Sequence, residues 1–285
     1  MSELHPLPED HPGASDPRYR RRRAAIAAVG AAYRPGDPIP DVAYTPEEDE
    51  VWRIVSGELA AEHRQHACAE YLRAAERLVL PTRRVPQLRE VNERLGGLTG
   101  FTIEPVPGLV PTRVFYGALA RRTFLSTQYV RHHSVPYYTP EPDLIHEIIG
   151  HANMLASDDL ADLYEAAGRA SLRATTDEAL EFFSRVFWFT IEFGVVREDG
   201  GVKAYGAGLL SSFGELQHFA TADLCAWDIG EMGRRSYDIT RYQPVLYATD
   251  GLGQAVADLR AFFDGYSDAR FADHFRATRS EPAGG

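Results

Sequence analysis

The stretch Pro142-Asp143-Leu144-Ile145-His146-Glu147-Ile148-Ile149-Gly150-His151 decides how this chain is read. It has the outline of the His-Glu-x-x-His zinc helix, lengthened by one residue. At about 100° per residue, positions five apart stand about 140° around an ideal helix, whereas positions four apart nearly overlie. Gly150 could loosen that turn, but the spacing weakens a zinc-peptidase reading. Two ordinary polar histidines on a surface helix are the competing explanation.

Glu192 bears on the choice. It lies in Phe187-Trp188-Phe189-Thr190-Ile191-Glu192-Phe193-Gly194, inside the most apolar helical pattern of the chain, where an unpaired carboxylate costs several kcal/mol. It therefore needs a partner, either an arginine (Arg185 or Arg131) or a metal. Two imidazoles with one carboxylate form the facial set that leaves positions open on Fe(II), and the same ligands also admit zinc in a hydrolase. The flanks are aromatic: Phe115, Tyr116, Tyr137, Tyr138, Phe187, Trp188 and Phe193 lie near these residues in sequence, as pocket lining or as core. Arg131 could grip a carboxylate through two parallel hydrogen bonds, or sit on the surface.

The rest of the chain bounds the answer. Its 285 residues, 44% hydrophobic and 25% charged with 14 Phe and 14 Tyr, describe an ordered globular protein. A net charge of −11 argues against nucleic acid and anionic lipid as partners, and the basic run of Arg18, Arg20, Arg21, Arg22 and Arg23 reads as a solvated helix start. Cys68 and Cys225 form no paired motif, which fits a reducing cytoplasm. The most apolar run, Phe182 to Val196, contains Arg185 and Glu192, so no membrane span is expected.

Local patterns predict one compact, mainly α unit with a few short strands. Residues 1–17, polar and proline-rich, read as a disordered tail, and residues 18–40 as a short helix with a loop at Arg34-Pro35-Gly36. Thr45-Pro46-Glu47-Glu48 is a capping box opening a helix that runs to about Leu80, with a break possible near Gly57. A helix after Pro86 ends at Gly96-Gly97, and Phe101 to Glu104 reads as a strand. Helix is expected over 176–196, a hairpin turn at Asp199-Gly200-Gly201, and a last helix over 252–264 before a C-terminal tail at 266–285.

Taken together, Thr127-Gln128-Tyr129-Val130-Arg131-His132, Tyr138-Thr139-Pro140-Glu141-Pro142-Asp143, His146-Glu147-x-x-Gly150-His151, Glu192-Phe193-Gly194 and Tyr205 to Ser212 resemble the pterin-dependent aromatic amino acid hydroxylases. The likeness is greatest to the phenylalanine 4-hydroxylase branch and covers residues 18–265, the family's catalytic domain. It implies a helical basket holding Fe(II) on His146, His151 and Glu192. It also implies an amino acid held by Arg131, Thr139 and Ser211, with Trp188 walling its side chain. A tetrahydropterin would stack on Phe115 near Glu147, with O2 as co-substrate. A planar pterin suits a flat ring, and an amino acid's carboxylate suits a cation.

Departures qualify the substrate. Ala152-Asn153-Met154-Leu155 replaces the Val-Pro-Leu-Leu of many relatives, and Leu125 stands where animal relatives carry His or Tyr. Trp188 favours the phenylalanine branch. The expectation is ring hydroxylation of L-phenylalanine to tyrosine by a cytoplasmic monomer. The alternatives are tryptophan or tyrosine as substrate, meta-hydroxylation, a catalytically silent amino-acid or pterin binder, and a zinc hydrolase with Glu147 as base.

Overall fold

A computed structural model describes residue 4 and residues 6–239 and 241–277 of the chain. The helices α1 (Pro12–Ser15), α2 (Pro17–Ala32), α3 (Pro46–His66), α4 (Ala69–Leu78) and α5 (Leu88–Leu98) come first. A parallel strand pair follows, β1 (Thr102–Pro105) and β2 (Thr123–Ser126), with α6 (Thr112–Leu119) as the crossover. A widened helical turn, His146–Ala152, leads into α7 (Asn153–Leu155), α8 (Asp158–Ser171) and α9 (Asp177–Phe187), and a second widened turn, Trp188–Glu192, continues α9. After it come β3 (Val195–Glu198), β4 (Gly201–Ala204), α10 (Ala207–Leu210), α11 (Phe213–His218), a 3₁₀ turn at Phe219–Thr221, β5 (Asp223–Ala226) and α12 (Ile229–Arg234). The described chain closes with β6 (Val245–Thr249), α13 (Leu252–Gly265) and α14 (Asp268–Ala277).

The second sheet has the order β4-β3-β6-β5, with β3 antiparallel to β4 and parallel to β6. One hydrophobic core runs from Val51 on α3 to Tyr266 after α13, and a small satellite of Ile26, Val42 and Tyr129 lies under α2. The architecture is mainly α with short strands, as the sequence predicts. Among the described residues no helix is long and apolar enough to cross a membrane.

Local signals explain most boundaries. Thr45 accepts the Glu48 N–H at 3.2 Å while the Glu48 carboxylate accepts the Thr45 N–H at 2.7 Å, the reciprocal box read from the sequence. The β3–β4 hairpin turns on Asp199 and Gly200, whose φ values of 52° and 74° match the primed turn of an Asp-Gly pair.

Elsewhere tertiary contacts override the pattern. The helix from Pro46 stops at His66, not near Leu80 or Gly57, because Ala67 bridges Ala204 and Cys68 donates its N–H to the Ala204 carbonyl at 2.9 Å. The helix expected over 176–196 ends in the turn at 188–192, and Val195 and Val196 pair instead with β4 and β6.

The expected N-terminal tail also differs. His11 is buried, α1 forms, and Asp16 caps α2 by accepting the Arg18 and Tyr19 N–H groups. Arginines of α2 pair with carboxylates: Arg18 with Glu47, Arg22 with Glu48, and buried Arg23 with buried Glu141. Helix α14 likewise occupies the start of the expected C-terminal tail, whose residues 278–285 lie outside the described residues, as do residues 1–3 and 5.

Candidate functional site

The widened turn resolves the histidine spacing. Over His146–Ala152 the backbone bonds run from residue i to i+5, as in the Asn153 N–H to Ile148 carbonyl bond. In such a turn residues five apart stack, where in an α-helix they diverge. His146 and His151 therefore face each other, with Nε2 atoms 3.0 Å apart. The 140° separation expected for an ideal helix is replaced by the widening itself. The Asn153 N–H closes this turn, a bond that a proline in its place could not make. Gly150 serves closeness rather than flexibility, since a Cβ there would lie 2.8 Å from the Ala207 carbonyl oxygen of α10.

Glu192 arrives by the same device. The turn Trp188–Glu192 is closed by the Phe193 N–H on the Trp188 carbonyl at 2.9 Å. Its Oε1 lies 3.3 Å from His151 Nε2 and its Oε2 3.8 Å from His146 Nε2. The three donor atoms lie within 4.8 Å of one another, the one such group of metal-ligating side chains among the described residues. Two nitrogens about 2.1 Å from a common ion at right angles would be about 3 Å apart, so the imidazole pair fits a single metal.

The supporting hydrogen bonds aim both rings inward. Ser211 Oγ donates to the Ala207 carbonyl and receives His146 Nδ1–H, each at 2.8 Å. Tyr164 OH donates to Met154 Sδ at 3.4 Å and receives His151 Nδ1–H at 2.7 Å. With Nδ1 protonated on each ring, each Nε2 lone pair points to the centre. Burial, and then the His151 ring, hold the His146 imidazole at about 4. Burial pushes the Glu192 carboxyl up, but the two histidines outweigh it and the net shift is downward. His146 and Glu192 are thus both shifted toward the deprotonated form that binds metal.

The other predicted residues surround this centre at different removes. Arg131 is buried and forked onto Asp143, Nε to Oδ2 at 2.9 Å and Nη2 to Oδ1 at 2.8 Å, leaving Nη1 3.4 Å from the Pro136 carbonyl. Asp143 also accepts the His146 N–H at 3.1 Å, so it ties the arginine to the start of the histidine turn. Thr139, half-buried, donates its hydroxyl to the Glu141 carbonyl at 2.6 Å. Ser211, expected beside a substrate, meets His146. Trp188 packs 4.5 Å from Phe193 and donates its indole N–H to Gln243.

Phe115 is half-buried and edge-on to Phe124 at 5.6 Å, and Phe124 lies 4.7 Å from the His151 ring. Glu147 is buried beside the triad. Burial first, then the Glu192 charge, raise its carboxyl well above the usual range against the Thr127 N–H. Sequence reasoning passes over Asp143, Tyr164, Tyr237 and Gln243. Only Asp143 has a local signal, its place three residues before His146 at the head of the turn.

Comparison with known proteins gives a family match over nearly the whole chain. The model of the biopterin-dependent aromatic amino acid hydroxylase family matches residues 3–277. The phenylalanine 3-hydroxylase of Streptomyces coeruleorubidus is 49% identical over 262 residues, covering 92% of this chain and 94% of that protein. A chloroplastic phenylalanine 4-monooxygenase of Chlamydomonas reinhardtii is 46% identical over 91% of this chain and 69% of its own length. The structure of Chromobacterium violaceum phenylalanine hydroxylase with bound iron(III) and the oxidised cofactor 7,8-dihydrobiopterin superposes with a TM-score of 0.78 at 30% identity, covering 91% of this chain and 93% of that one. A metal triad built on two widened turns, aromatic walls around it and a family match over nearly the whole chain lead to one conclusion: the chain belongs to the biopterin-dependent aromatic amino acid hydroxylases.

Proposed function

We propose that this chain hydroxylates the ring of L-phenylalanine, giving tyrosine, with Fe(II) held by His146, His151 and Glu192. The observation that carries the reading is the triad with both Nδ1 atoms engaged by Ser211 and Tyr164, which leaves both Nε2 atoms for a metal. When bound, Fe(II) and a tetrahydropterin supply the electrons that activate O2, one oxygen going to the ring and one to the pterin.

The chain's own residues bind, orient and exclude water. Phe115 offers a flat face for the pterin and Glu147 a buried polar group beside it, its carboxyl held above the usual range by burial. Arg131, steered by Asp143, and Thr139 receive the amino acid's polar end, while Trp188 and Phe193 wall its ring. Ser211 serves the metal side through His146, and the substrate role that the resemblance implies for it would be exercised from the same hydroxyl. The free cysteines Cys68 and Cys225 suit the cytoplasm, and a monomer is the state expected in sedimentation.

Meta-hydroxylation is the second reading. It is favoured by the 49% identity to a phenylalanine 3-hydroxylase that matches this chain over almost its full length. The test is anaerobic loading with Fe(II) and tetrahydropterin, addition of phenylalanine, tyrosine or tryptophan, exposure to O2, and chromatography with mass spectrometry against 3- and 4-hydroxyphenylalanine standards. Pterin-dependent tyrosine supports the first reading and 3-hydroxyphenylalanine the second. Hydroxylation of tryptophan or tyrosine alone, activity with zinc and no pterin, or iron binding without turnover would each overturn both.

A further inference from the structure

Trp188 is held from two sides. Its indole N–H donates to Gln243 Oε1 at 3.1 Å, and its ring lies 4.1 Å from the ring of Tyr237 with the planes 8° apart. Gln243 is fully committed: its amide NH2 donates to the Asp238 and Arg241 carbonyls, each at 3.0 Å, and its backbone N–H donates to Glu215 Oε1 at 3.1 Å. These partners determine which end of the amide is oxygen, because the indole needs an acceptor and the carbonyls need donors. Gln243 is 4% exposed, and rotating its amide would turn the NH2 toward the indole N–H and the oxygen toward the two carbonyls, losing all three bonds at once.

Trp188 also opens the turn that ends in Glu192. The indole and one metal-facing carboxylate therefore share a single turn, and the orientation of the indole is referred directly to the triad. The stacked and hydrogen-bonded contacts come from Tyr237 and Gln243, neither of which hydrogen-bonds a triad side chain. The shortest ring contact of Tyr237 with that turn is the stack on Trp188, and Tyr237 also stands edge-on to Phe189 at 6.1 Å.

We propose that Gln243 and Tyr237 are positioning residues that set the plane of the Trp188 indole and, through it, which ring carbon of the substrate faces the His146, His151 and Glu192 centre. This rests on the reading of Trp188 as the wall of the aromatic pocket. Meta and para carbons are neighbours on one ring, and displacements of about 1 Å are enough to redirect or slow a positioned reaction. Neither residue touches the reacting atoms in this proposal. Both act on where the ring comes to rest.

The test uses the full chain loaded with Fe(II) and tetrahydropterin, and four variants: Gln243→Leu, Gln243→Glu, Tyr237→Leu and Trp188→Phe. The readouts are the ratio of 3- to 4-hydroxyphenylalanine, the ratio of kcat/KM for phenylalanine over tryptophan, and iron affinity. Gln243→Leu and Tyr237→Leu are expected to change at least one ratio roughly fivefold, the scale of one lost hydrogen bond or ring contact, with iron affinity unaltered. Gln243→Glu keeps an acceptor for the indole but loses both donors to the Asp238 and Arg241 carbonyls, so it too is expected to move at least one ratio. Tyr237 is 38% exposed, so its variant decides the matter if Gln243→Leu fails to fold. Parental ratios in Tyr237→Leu and Gln243→Leu beside altered ratios in Trp188→Phe would overturn the proposal and leave the pocket-wall reading standing. Parental ratios in Trp188→Phe as well would bring down that reading and the proposal with it.

Discussion

Replacing Tyr164 by Phe tests the account of the metal centre most directly. The phenol is fully buried, and what the change removes is the acceptor for His151 Nδ1–H at 2.7 Å. The ring packing against His151 and Phe187, at 5.9 and 6.2 Å, stays. A buried N–H left without a partner costs about 1–3 kcal/mol. In the metal-free variant His151 has a way to avoid that cost: its proton can move to Nε2, where Glu192 Oε1 at 3.3 Å and His146 Nε2 at 3.0 Å accept it. Metal binding must then reverse the shift, so the loss appears in affinity and not in folding.

The expected result is a 10- to 100-fold weaker site, about 1.4–2.8 kcal/mol, the range found when groups behind metal-bound histidines are removed. Anaerobic titration with Fe(II), or with Co(II) as a redox-stable probe, against a competing chelator measures it, while the melting temperature of the metal-free protein stays within a few degrees. Ser211→Ala should act likewise on His146. Parental affinity in a folded Tyr164→Phe protein would refute the assignment of the histidine tautomers.

Gly150→Ala forces a Cβ to 2.8 Å from the Ala207 carbonyl oxygen and should cost about 1–3 kcal/mol in urea unfolding, with weaker metal binding as the α10 segment carrying Ser211 is pushed away; an unchanged protein would show that the contact yields freely. Arg131→Leu leaves the buried Asp143 carboxylate with two backbone N–H donors but no counter-charge and should destabilise by about 3–5 kcal/mol, whereas Arg131→Leu with Asp143→Leu should recover part of that stability, though not amino acid binding; equal losses in both would argue against the pair. His63, buried with Nε2–H on the Leu210 carbonyl at 2.6 Å, is lowered to about 4 by burial. The unfolded chain therefore takes up a proton near pH 6.5 that the folded chain refuses until near 4, so stability falls as pH drops through that window, by about 2 kcal/mol at pH 5. Urea midpoints of the parent and His63→Gln at pH 7 and 5 check the sign, the variant being expected to lose less on acidification.

What could be read in advance follows from which physics is local. Caps and turns are local: Thr45 with Glu48 and Asp199 with Gly200 behave as their side chains and φ preferences require. The ligand types are also legible, because a carboxylate in a run as apolar as Phe187 to Gly194 has to be compensated wherever it lies. Tyr164 is not legible. A tyrosine at core spacing on α8 looks the same whether its hydroxyl meets a histidine or merely reaches the surface. The stop at His66 is equally invisible, since the competing partner, Ala204, is far along the chain. Asp16 before Pro17 was an available capping signal, and a reading by composition alone passes it over in favour of a disordered tail.

The histidine spacing combines both cases. Five residues between ligands contradict a straight α-helix, and the contradiction is itself the information, because a wide turn is what lets positions five apart converge. The chain uses such a turn twice, at His146–Ala152 and Trp188–Glu192, and in each a ligand stands at the boundary of the irregular backbone. Wide turns are rare because their hydrogen bonds and packing are poorer than those of the α-helix, so each must be held from outside. Here the first is braced by Asp143 on the His146 N–H and by the close approach of Ala207 to Gly150, and the second is entered through Trp188, which Gln243 and Tyr237 hold. The three ligands are preorganised by these braces. A change in any brace should therefore register as a change in metal affinity or product position before it registers as a loss of fold.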